Sequence, residues 1–292
     1  MNTYPVNSIS PILIPHTPDA LLRYENFPSR LVTPRHVDIW LPPGYETSIG
    51  SQFPVLYMHD GQNLFLPGNS FGGEPWAVDQ AIVKLMGEDK IPSVIVVGIW
   101  NLDMRRMQEY FPQKPATTSR WRIHLFRYPF LWFKRPHSDA YLRFLVSELK
   151  PFIDANYRTV PDRSHTFVMG SSMGGLISLY ALTEYPQVFG GAGCLSTHWP
   201  AAGNLLVDYF SNVLPEPGAH RFYFDFGTEA LDASYEPFQV RMDRVMSARG
   251  YTYGKDWTTH KFPGADHSER AWRERVHIPL EFLLNSARPP GL

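Results

Sequence analysis

Mostly apolar runs that alternate with segments of helical spacing are the feature of this sequence that most restricts its fold. Clear runs span 54–60, 93–99, 165–170 and 221–227, and a weaker one spans 258–264. Strands have this composition when helices cover both faces of a parallel sheet, because neither face then meets water. Helical patterns between the runs cover 76–85, 141–153, 174–185, 235–249 and 271–284. The alternation predicts an α/β fold with a mostly parallel, doubly wound sheet and helices on both faces.

The N-terminal part follows a different pattern. Residues 1–30 are polar and interrupted by prolines, and we expect them to form an irregular arm. Residues 31–42 have apolar side chains at alternating positions, which predicts an early strand that ends at Pro42. No internal repeat or long linker divides the sequence, and 292 residues can bury one large core. We therefore expect a single domain over 1–292.

Charge and cysteine content exclude several classes of protein. Lys and Arg number 27 against 28 Asp and Glu, so the chain lacks the basic excess of a nucleic-acid-binding protein. The single cysteine, Cys194, excludes an internal disulfide and a zinc site built from cysteines. No apolar stretch reaches about 18 residues, so we expect no transmembrane helix. The N-terminus lacks a signal-peptide pattern, and the expected location is cytoplasmic.

The sequence Gly-Ser-Ser-Met-Gly at 170–174 matches the pattern G-x-S-x-G. An apolar run precedes it and a helical pattern follows without a gap, which is the strand–turn–helix setting of a nucleophilic serine. Glycines on both sides of Ser172 relieve crowding at the tight turn, and the following helix directs free N–H groups towards the reacting atoms. We therefore expect Ser172 to be the nucleophile and the backbone N–H of Met173 to be one donor of an oxyanion hole.

A serine nucleophile needs a base, and His267 has the position that such a base requires. Where a nucleophilic serine lies on a strand–turn–helix, the chain order is serine, acid, histidine. Of the 11 histidines, only His267 both follows the last predicted strand and lies in a polar loop before the closing helix. We expect His267 to take the proton of Ser172.

The acid that orients this histidine is expected directly after the run at 221–227. Glu229 and Asp232 are the candidates at this place. Its carboxylate must accept the Nδ1–H of His267 and hold the correct tautomer. Asp232 is favoured because it lies closer to the start of the next helix, and Glu229 remains the alternative.

The loop after the first apolar run, His59-Asp60-Gly61-Gln62, is the expected source of the second oxyanion donor. A backbone N–H of Gly61 or Gln62 fits this role. His59 and Asp60 are residue types that bind metals, but no other residues of that kind accompany them at ligand spacing. We expect neither a metal nor a cofactor.

Five segments together resemble one esterase family of α/β hydrolases, which includes enterochelin-esterase-like proteins, feruloyl esterases, S-formylglutathione hydrolase (esterase D) and mycolyltransferases. They are YMHDGQNLF (57–65), VVGIWN with Arg105 and Glu109-Tyr110 (96–110), GSSMGGL (170–176), FGTEALD (226–232) and GADHSERAW (264–272). The resemblance implies the α/β-hydrolase fold and a catalytic triad of Ser172, Asp232 and His267. It also implies an oxyanion hole from Met173 and 61–62. In several members the acid stands three residues after the strand-end glycine, where this sequence has Ala230.

These residues indicate a serine carboxylesterase that hydrolyses a small-molecule ester through an acyl-enzyme on Ser172. An acyltransferase would use the same side chains and would differ only in the acceptor that attacks the acyl-enzyme. A binding protein on the same scaffold is a further alternative, although such proteins typically lack one of the three catalytic groups.

Residues 114–137 interrupt the alternation of strands and helices. The segment is rich in aromatic and basic side chains, from Arg120 to Arg135. We interpret it as a lid or insertion at the active-site mouth, whose aromatic side chains would line an acyl pocket and whose charges would attract an anionic substrate. Additional core packing and contact with a membrane surface are the alternatives.

Overall fold

Residues 11–14, 20–116 and 135–287 are described in the computed structural model, and they form a nine-stranded sheet with helices packed on it. The strand order is β1-β2-β3-β5-β4-β6-β7-β8-β9. The strands are β1 (Ile12–Ile14), β2 (Ala20–Phe27), β3 (Arg35–Leu41), β4 (Val55–His59), β5 (Ile95–Ile99), β6 (Thr166–Ser171), β7 (Gly191–Leu195), β8 (Arg221–Gly227) and β9 (Trp257–Phe262).

The sheet is parallel from β4 to β9, and this part contains all five predicted apolar runs. Only β1, β2 and β3 pair in antiparallel fashion, with β3 beside β5. The predicted mostly parallel, doubly wound sheet is therefore confirmed. The order reverses at β4, because β5 lies on one side of it and β6 on the other. In such sheets ligands bind in the crevice at the carboxyl ends of the strands where the order reverses.

Successive side chains of a strand point to opposite faces of the sheet, and both faces of the parallel strands are covered. Val55 and Tyr57 of β4 belong to one hydrophobic core, whereas Leu56 and Met58 belong to the other. All five residues of β4 are consequently buried. This is why the run is apolar at nearly every position instead of at every second one.

Helices pack on both faces of the sheet, as predicted. One core lies beneath Ser138–Phe144, Met173–Glu184, Asn204–Val213 and Glu236–Ala248, and the other beneath Val78–Gly87 and His277–Leu284. The shorter helices are Arg106–Tyr110, Gln113–Ala116, Lys150–Asn156 and Glu269–Arg275, and a π-helical turn covers Leu145–Leu149. None of the helices in the described ranges is long and apolar enough to cross a membrane.

The prediction of an irregular arm over residues 1–30 is wrong for most of the described residues, 11–14 and 20–30, because β1 and β2 extend the sheet there. In β2, Leu21 and Tyr24 are buried, but Arg23 between them forms an ion pair of 2.7 Å with Asp38 of β3. A bulge between Tyr24 and Phe27 further disturbs the register. An edge strand with these features lacks both a continuous apolar run and a clean alternation, so its sequence pattern is weak.

Two helix boundaries also differ from the prediction, and one helix was not predicted. The helix expected over 141–153 begins at Ser138 and contains the π-helical turn, while the closing helix is divided at Val276. The helix Asn204–Val213 lies where the sequence pattern predicts none. The lid predicted at 114–137 lies outside the described residues except at its ends, because 117–134 belong to the undescribed part of the chain.

Candidate active site

Ser172 occupies the sharp turn between β6 and the helix Met173–Glu184. Its backbone has φ 58° and ψ −120°, which is a strained conformation for a residue with a side chain. Two backbone hydrogen bonds hold the turn: Ser172 N–H donates to Leu195 at 2.9 Å, and the Ser172 carbonyl accepts from His198 at 3.1 Å. The neighbouring strand β7 and the loop after it therefore fix the conformation that exposes the serine.

The glycines of the motif are required by close approaches of the backbone. A Cβ atom on Gly170 would lie 2.8 Å from the carbonyl carbon of Gly174, in the first turn of the helix. A Cβ atom on Gly174 would lie 3.2 Å from Oδ2 of Asp60. The first glycine thus allows the helix to start directly after the strand, and the second allows the loop after β4 to approach the elbow.

His267 and Asp232 meet on the loops that follow β9 and β8. Nδ1 of His267 lies 2.6 Å from Oδ1 of Asp232, whose side chain is buried. Glu229, the alternative acid, is exposed to solvent. The sequence left the choice between the two carboxylates open, and the geometry favours Asp232. Trp272 packs edge-on against the imidazole, with ring centroids 4.9 Å apart, and so limits its rotation.

The carboxylate of Asp232 is stabilised in its charged form. Burial alone would raise its pKa, but hydrogen bonds from His267, Ser196 and the backbone of Gly227 outweigh burial and lower it. Ser196 Oγ lies 2.6 Å and Gly227 N lies 2.7 Å from Oδ2 of Asp232. A carboxylate with these donors is ionised at neutral pH and can orient an imidazole through its other oxygen.

Ser196 links this carboxylate to a buried ion pair. Its hydroxyl donates to Asp232 and accepts from Trp272 Nε1 at 3.0 Å and from Arg275 Nη2 at 2.9 Å. A serine hydroxyl has one donor and two acceptor positions, and Ser196 uses all three. Arg275 also binds Asp225 at 3.1 Å, and both side chains are buried. The sequence does not reveal this network, because its members are distant in sequence and carry no local motif.

Backbone N–H groups suited to an oxyanion hole come from two helix starts. Met173 is the first residue of the helix after the elbow, and Gly61 and Gln62 begin a 3₁₀ turn after β4. N–H groups at these positions have no acceptor within their own helix. Gly61 cannot be replaced here, because a Cβ atom would lie 2.5 Å from the carbonyl carbon of Gly98. The predicted donors thus belong to two loops at the carboxyl ends of adjacent strands.

Arg106, which no sequence motif marks, joins these two loops. Its guanidinium binds both carboxylate oxygens of Asp60, at 2.7 and 2.8 Å, and its Nη2 lies 3.4 Å from the carbonyl oxygen of Ser171. Asn101 donates a further hydrogen bond of 2.6 Å to Asp60. Arg105 instead contacts Thr33. Arg105 ends a 3₁₀ turn and Arg106 begins the next helix, and this local backbone geometry, which the sequence does not show, decides which arginine contacts Asp60.

A cavity of about 360 Å³ opens at this place, and both Ser172 and His267 line it. The remaining lining residues are Asp60, Gln62, Asn63, Phe71, Asn101, Asp103, Arg106, Ser171, Glu269 and Trp272. Glu269 accepts a 3.2 Å hydrogen bond from Asn63, and its burial, together with Asp60, raises its pKa. In the described part of the chain no hydrogen bond joins Ser172 to His267. Such contacts are often long without substrate and shorten when it binds.

His59 lies beneath the loop after β4 as a buried, neutral imidazole. Its Nδ1 is 2.8 Å from the hydroxyl of Tyr141. Burial lowers the pKa of His59 to about 3, although Asp60 opposes the shift and Arg106 adds to it. Within the described ranges, no three His, Cys, Asp or Glu side chains are arranged to hold a metal ion.

Replacing His59 with glutamine is expected to make the free energy of unfolding less dependent on pH between about pH 6 and 4.5. In the wild type, His59 takes up a proton only on unfolding, since its pKa is about 3 when folded and near 6.5 when unfolded. Above the unfolded pKa of His59 this contribution to the free energy of unfolding is fully present. It is lost as pH falls below that value, by up to about 1.4 kcal/mol per pH unit. Urea unfolding at several pH values measures the two slopes, and equal slopes would contradict the prediction.

The sequence is similar to a known protein family and to a curated bacterial protein. The model of a family described as "Putative esterase" matches residues 29–278. An uncharacterized protein of Bacillus subtilis (strain 168), YbbA, is 26% identical over 195 residues, which cover 67% of this chain and 68% of that protein.

Solved structures of esterases share the fold. A ferulic acid esterase superimposes with a TM-score of 0.65 at 16% identity, over 92% of this chain and 99% of its own. An IroE-like serine hydrolase from Shewanella oneidensis gives a TM-score of 0.66 at 21% identity, over 91% and 79%. The enterobactin esterase of Shigella flexneri gives 0.61 at 18% identity, over 93% and 60%. At these identities the likeness establishes the α/β-hydrolase fold, as the sequence predicted.

Proposed function

The chain belongs to the "Putative esterase" family, and from this premise we propose that it is a serine hydrolase that cleaves carboxylic esters through an acyl-enzyme on Ser172. His267 is the proposed base and Asp232 the acid that orients it. The N–H groups of Met173 and of Gly61 or Gln62 are the proposed oxyanion donors.

The observation that carries the proposal is that three loops from the carboxyl ends of the sheet meet at one cavity. Ser172 has the strained backbone of an elbow, and it lines the same cavity as His267. Asp232 holds Nδ1 of His267 at 2.6 Å, which leaves Nε2 as the nitrogen that can accept a proton. A buried, ionised acid behind a histidine beside a strained serine is the arrangement that activates a serine for acyl transfer.

In the proposed reaction, His267 Nε2 takes the hydroxyl proton while Ser172 Oγ forms a bond to the ester carbonyl carbon. The carbonyl oxygen becomes an oxyanion, which the backbone N–H groups stabilise. The C–O bond to the alcohol then breaks, and the alcohol leaves with the proton from His267. Water repeats the sequence on the acyl-enzyme, with His267 as base again, and releases the acid and the free serine.

A compact ester is the substrate class that the cavity supports. About 360 Å³ is at the small end of ligand pockets. Phe71 and Trp272 offer apolar surface, while Gln62, Asn101 and Arg106 offer polar groups. Esters of short acyl chains should therefore react faster than esters of long ones.

Hydrolysis of p-nitrophenyl esters by the purified protein tests the reaction. We expect turnover of the acetyl and butyryl esters to exceed that of the dodecanoyl ester, because a long chain exceeds the cavity. A fluorophosphonate probe, which reacts with activated serines, should label the protein once, on the peptide that contains Ser172. Peptide mass spectrometry locates the label.

Each other outcome argues against part of the proposal. Absence of both turnover and labelling would overturn it and favour a binding protein on the same scaffold. Faster release of p-nitrophenol with added alcohol, together with a new ester product, would favour an acyltransferase, because an acceptor other than water would then attack the acyl-enzyme. Labelling at a serine other than Ser172 would reject the assigned nucleophile.

A further inference from the structure

The proposed oxyanion hole takes its donors from two separate loops, and Arg106 is bound to both of these loops. Its guanidinium contacts both carboxylate oxygens of Asp60, the residue directly before Gly61, at 2.7 and 2.8 Å. Its Nη2 also lies 3.4 Å from the carbonyl oxygen of Ser171, two residues before Met173. One side chain therefore connects the two segments that carry the proposed donors.

The loop after β4 is held by side chains and backbone from the segment after β5. Asp60 has φ 58° and ψ 47°, in the left-handed region that residues with a side chain seldom occupy. Its carboxylate accepts hydrogen bonds from Arg106 and, at 2.6 Å, from Asn101. The backbone N–H of Asn101 donates to the side-chain oxygen of Gln62 at 3.2 Å. The positions of residues 60–62 therefore depend on contacts made by this neighbouring segment.

The pair of Arg106 and Asp60 is a rigid connection, unlike an ion pair on the surface. The side chain of Asp60 is only 7% exposed and that of Arg106 is 24% exposed, so water screens the pair weakly. Two parallel hydrogen bonds between planar groups fix both their distance and their angle, whereas a lysine would supply a single point of contact. The same carboxylate lies against the elbow, since a Cβ atom on Gly174 would be 3.2 Å from Oδ2 of Asp60.

We propose that Arg106 is a positioning residue for the oxyanion hole, which fixes the distance between the loop at 60–62 and the elbow. This inference rests on the proposed function. Backbone donors stabilise an oxyanion when they lie about 2.7–3.1 Å from its position, and a shift of about 1 Å removes much of that effect. The oxygen carries more charge in the transition state than in the bound ester, so a displaced donor raises the barrier more than it weakens substrate binding.

The variant Arg106→Met tests the proposal. We expect kcat for p-nitrophenyl acetate to fall by about 10–100-fold and KM to change by less than about twofold, since a donor is displaced and no contact with the substrate is removed. A short trifluoromethyl ketone should lose affinity by a similar factor. Ser172 Oγ adds to its carbonyl carbon, the serine proton passes to His267, and the resulting oxyanion occupies the same hole. Arg106→Lys should lose only about 3–10-fold in kcat, because it keeps the charge but not the two-point contact.

Arg23→Met is the matched control. Arg23 binds Asp38 with the same two-point geometry, at 2.7 and 2.8 Å, and neither side chain lines the cavity. Both variants leave a buried carboxylate without its arginine, so both should lower the thermal unfolding temperature. Only Arg106→Met should lower kcat. Where Arg106→Met does not fold, the combined change of Asp60→Asn and Arg106→Gln leaves no buried charge unpaired, and its kcat and inhibitor affinity are then measured instead.

Three results would overturn this inference while leaving the esterase proposal intact. The first is unchanged kcat and inhibitor affinity in the folded Arg106 variant. The second is a raised KM with unchanged kcat, since Arg106 would then bind the substrate directly. The third is an equal loss of kcat in Arg23→Met, since a general loosening of the fold would then account for both losses. A wild-type protein that neither turns over esters nor reacts with the fluorophosphonate probe would instead reject the function itself.

Discussion

Replacing Ser172 with alanine is expected to lower kcat for p-nitrophenyl esters by roughly 10³–10⁶-fold, as loss of the nucleophile does in serine hydrolases. Without Oγ no acyl-enzyme forms, and only transition-state stabilisation by the backbone N–H groups remains. Substrate binding should be little changed, because the side chain removed is small. Steady-state kinetics of the wild type and Ser172→Ala, purified in parallel, measure the effect.

Ser178→Ala is the matched control for this variant. Ser178 lies on the same helix and is buried, but its hydroxyl donates to the carbonyl of Gly174 within that helix and not to the site. We expect Ser178→Ala to keep most of the activity, because no reacting group loses a partner. Turnover by Ser172→Ala close to the wild-type value would reject Ser172 as the nucleophile.

Replacing Asp232 with asparagine is expected to lower kcat by about 10⁴-fold at neutral pH, as the same exchange does where an aspartate orients a catalytic histidine. The asparagine amide would no longer provide a charge opposite the imidazolium. It could also present an N–H group to Nδ1 of His267, which selects the wrong tautomer. The same steady-state assay measures the loss, and circular dichroism checks that the variant is folded.

Glu229→Gln separates the two acids that the sequence left open. Glu229 is exposed, whereas Asp232 lies within hydrogen-bond distance of His267. We therefore expect Glu229→Gln to remain near wild-type activity. A large loss in Glu229→Gln together with a small one in Asp232→Asn would reverse the assignment of the acid.

Local patterns were sufficient to predict the parallel sheet, and they also select the residues that we propose for catalysis. Runs such as 54–60 are apolar because both faces of their strands are buried, and burial on two faces is visible in sequence. The motif around Ser172 is equally local. The close approach of the backbone at Gly174 requires glycine at position 170, and both positions lie within the same five residues. His267 could be selected because chain order and loop position exclude the other histidines.

Features that depend on packing between distant segments could not be predicted. In strand β2, the charge of Arg23 is neutralised by Asp38 of strand β3. No local sequence pattern shows this pairing. Likewise, Tyr235 and His198 are 37 residues apart in sequence. A tyrosine before a helix and a histidine after a strand are each ordinary, and only the fold brings their side chains into contact. The choice between Asp232 and Glu229 also depends on packing, because only the fold brings Asp232 to His267.

The position of the short helix Glu269–Arg275 near the end of the described chain determines when the proposed active site can be completed during synthesis. It follows all nine strands of the described sheet, and it carries Trp272 against His267 and Arg275 against the network that holds Asp232. A nascent chain on the ribosome exposes Ser172 long before this helix emerges. Under the proposed function, the serine lacks a fully supported base until this helix docks, so esterase activity is expected only once the sheet has been completed.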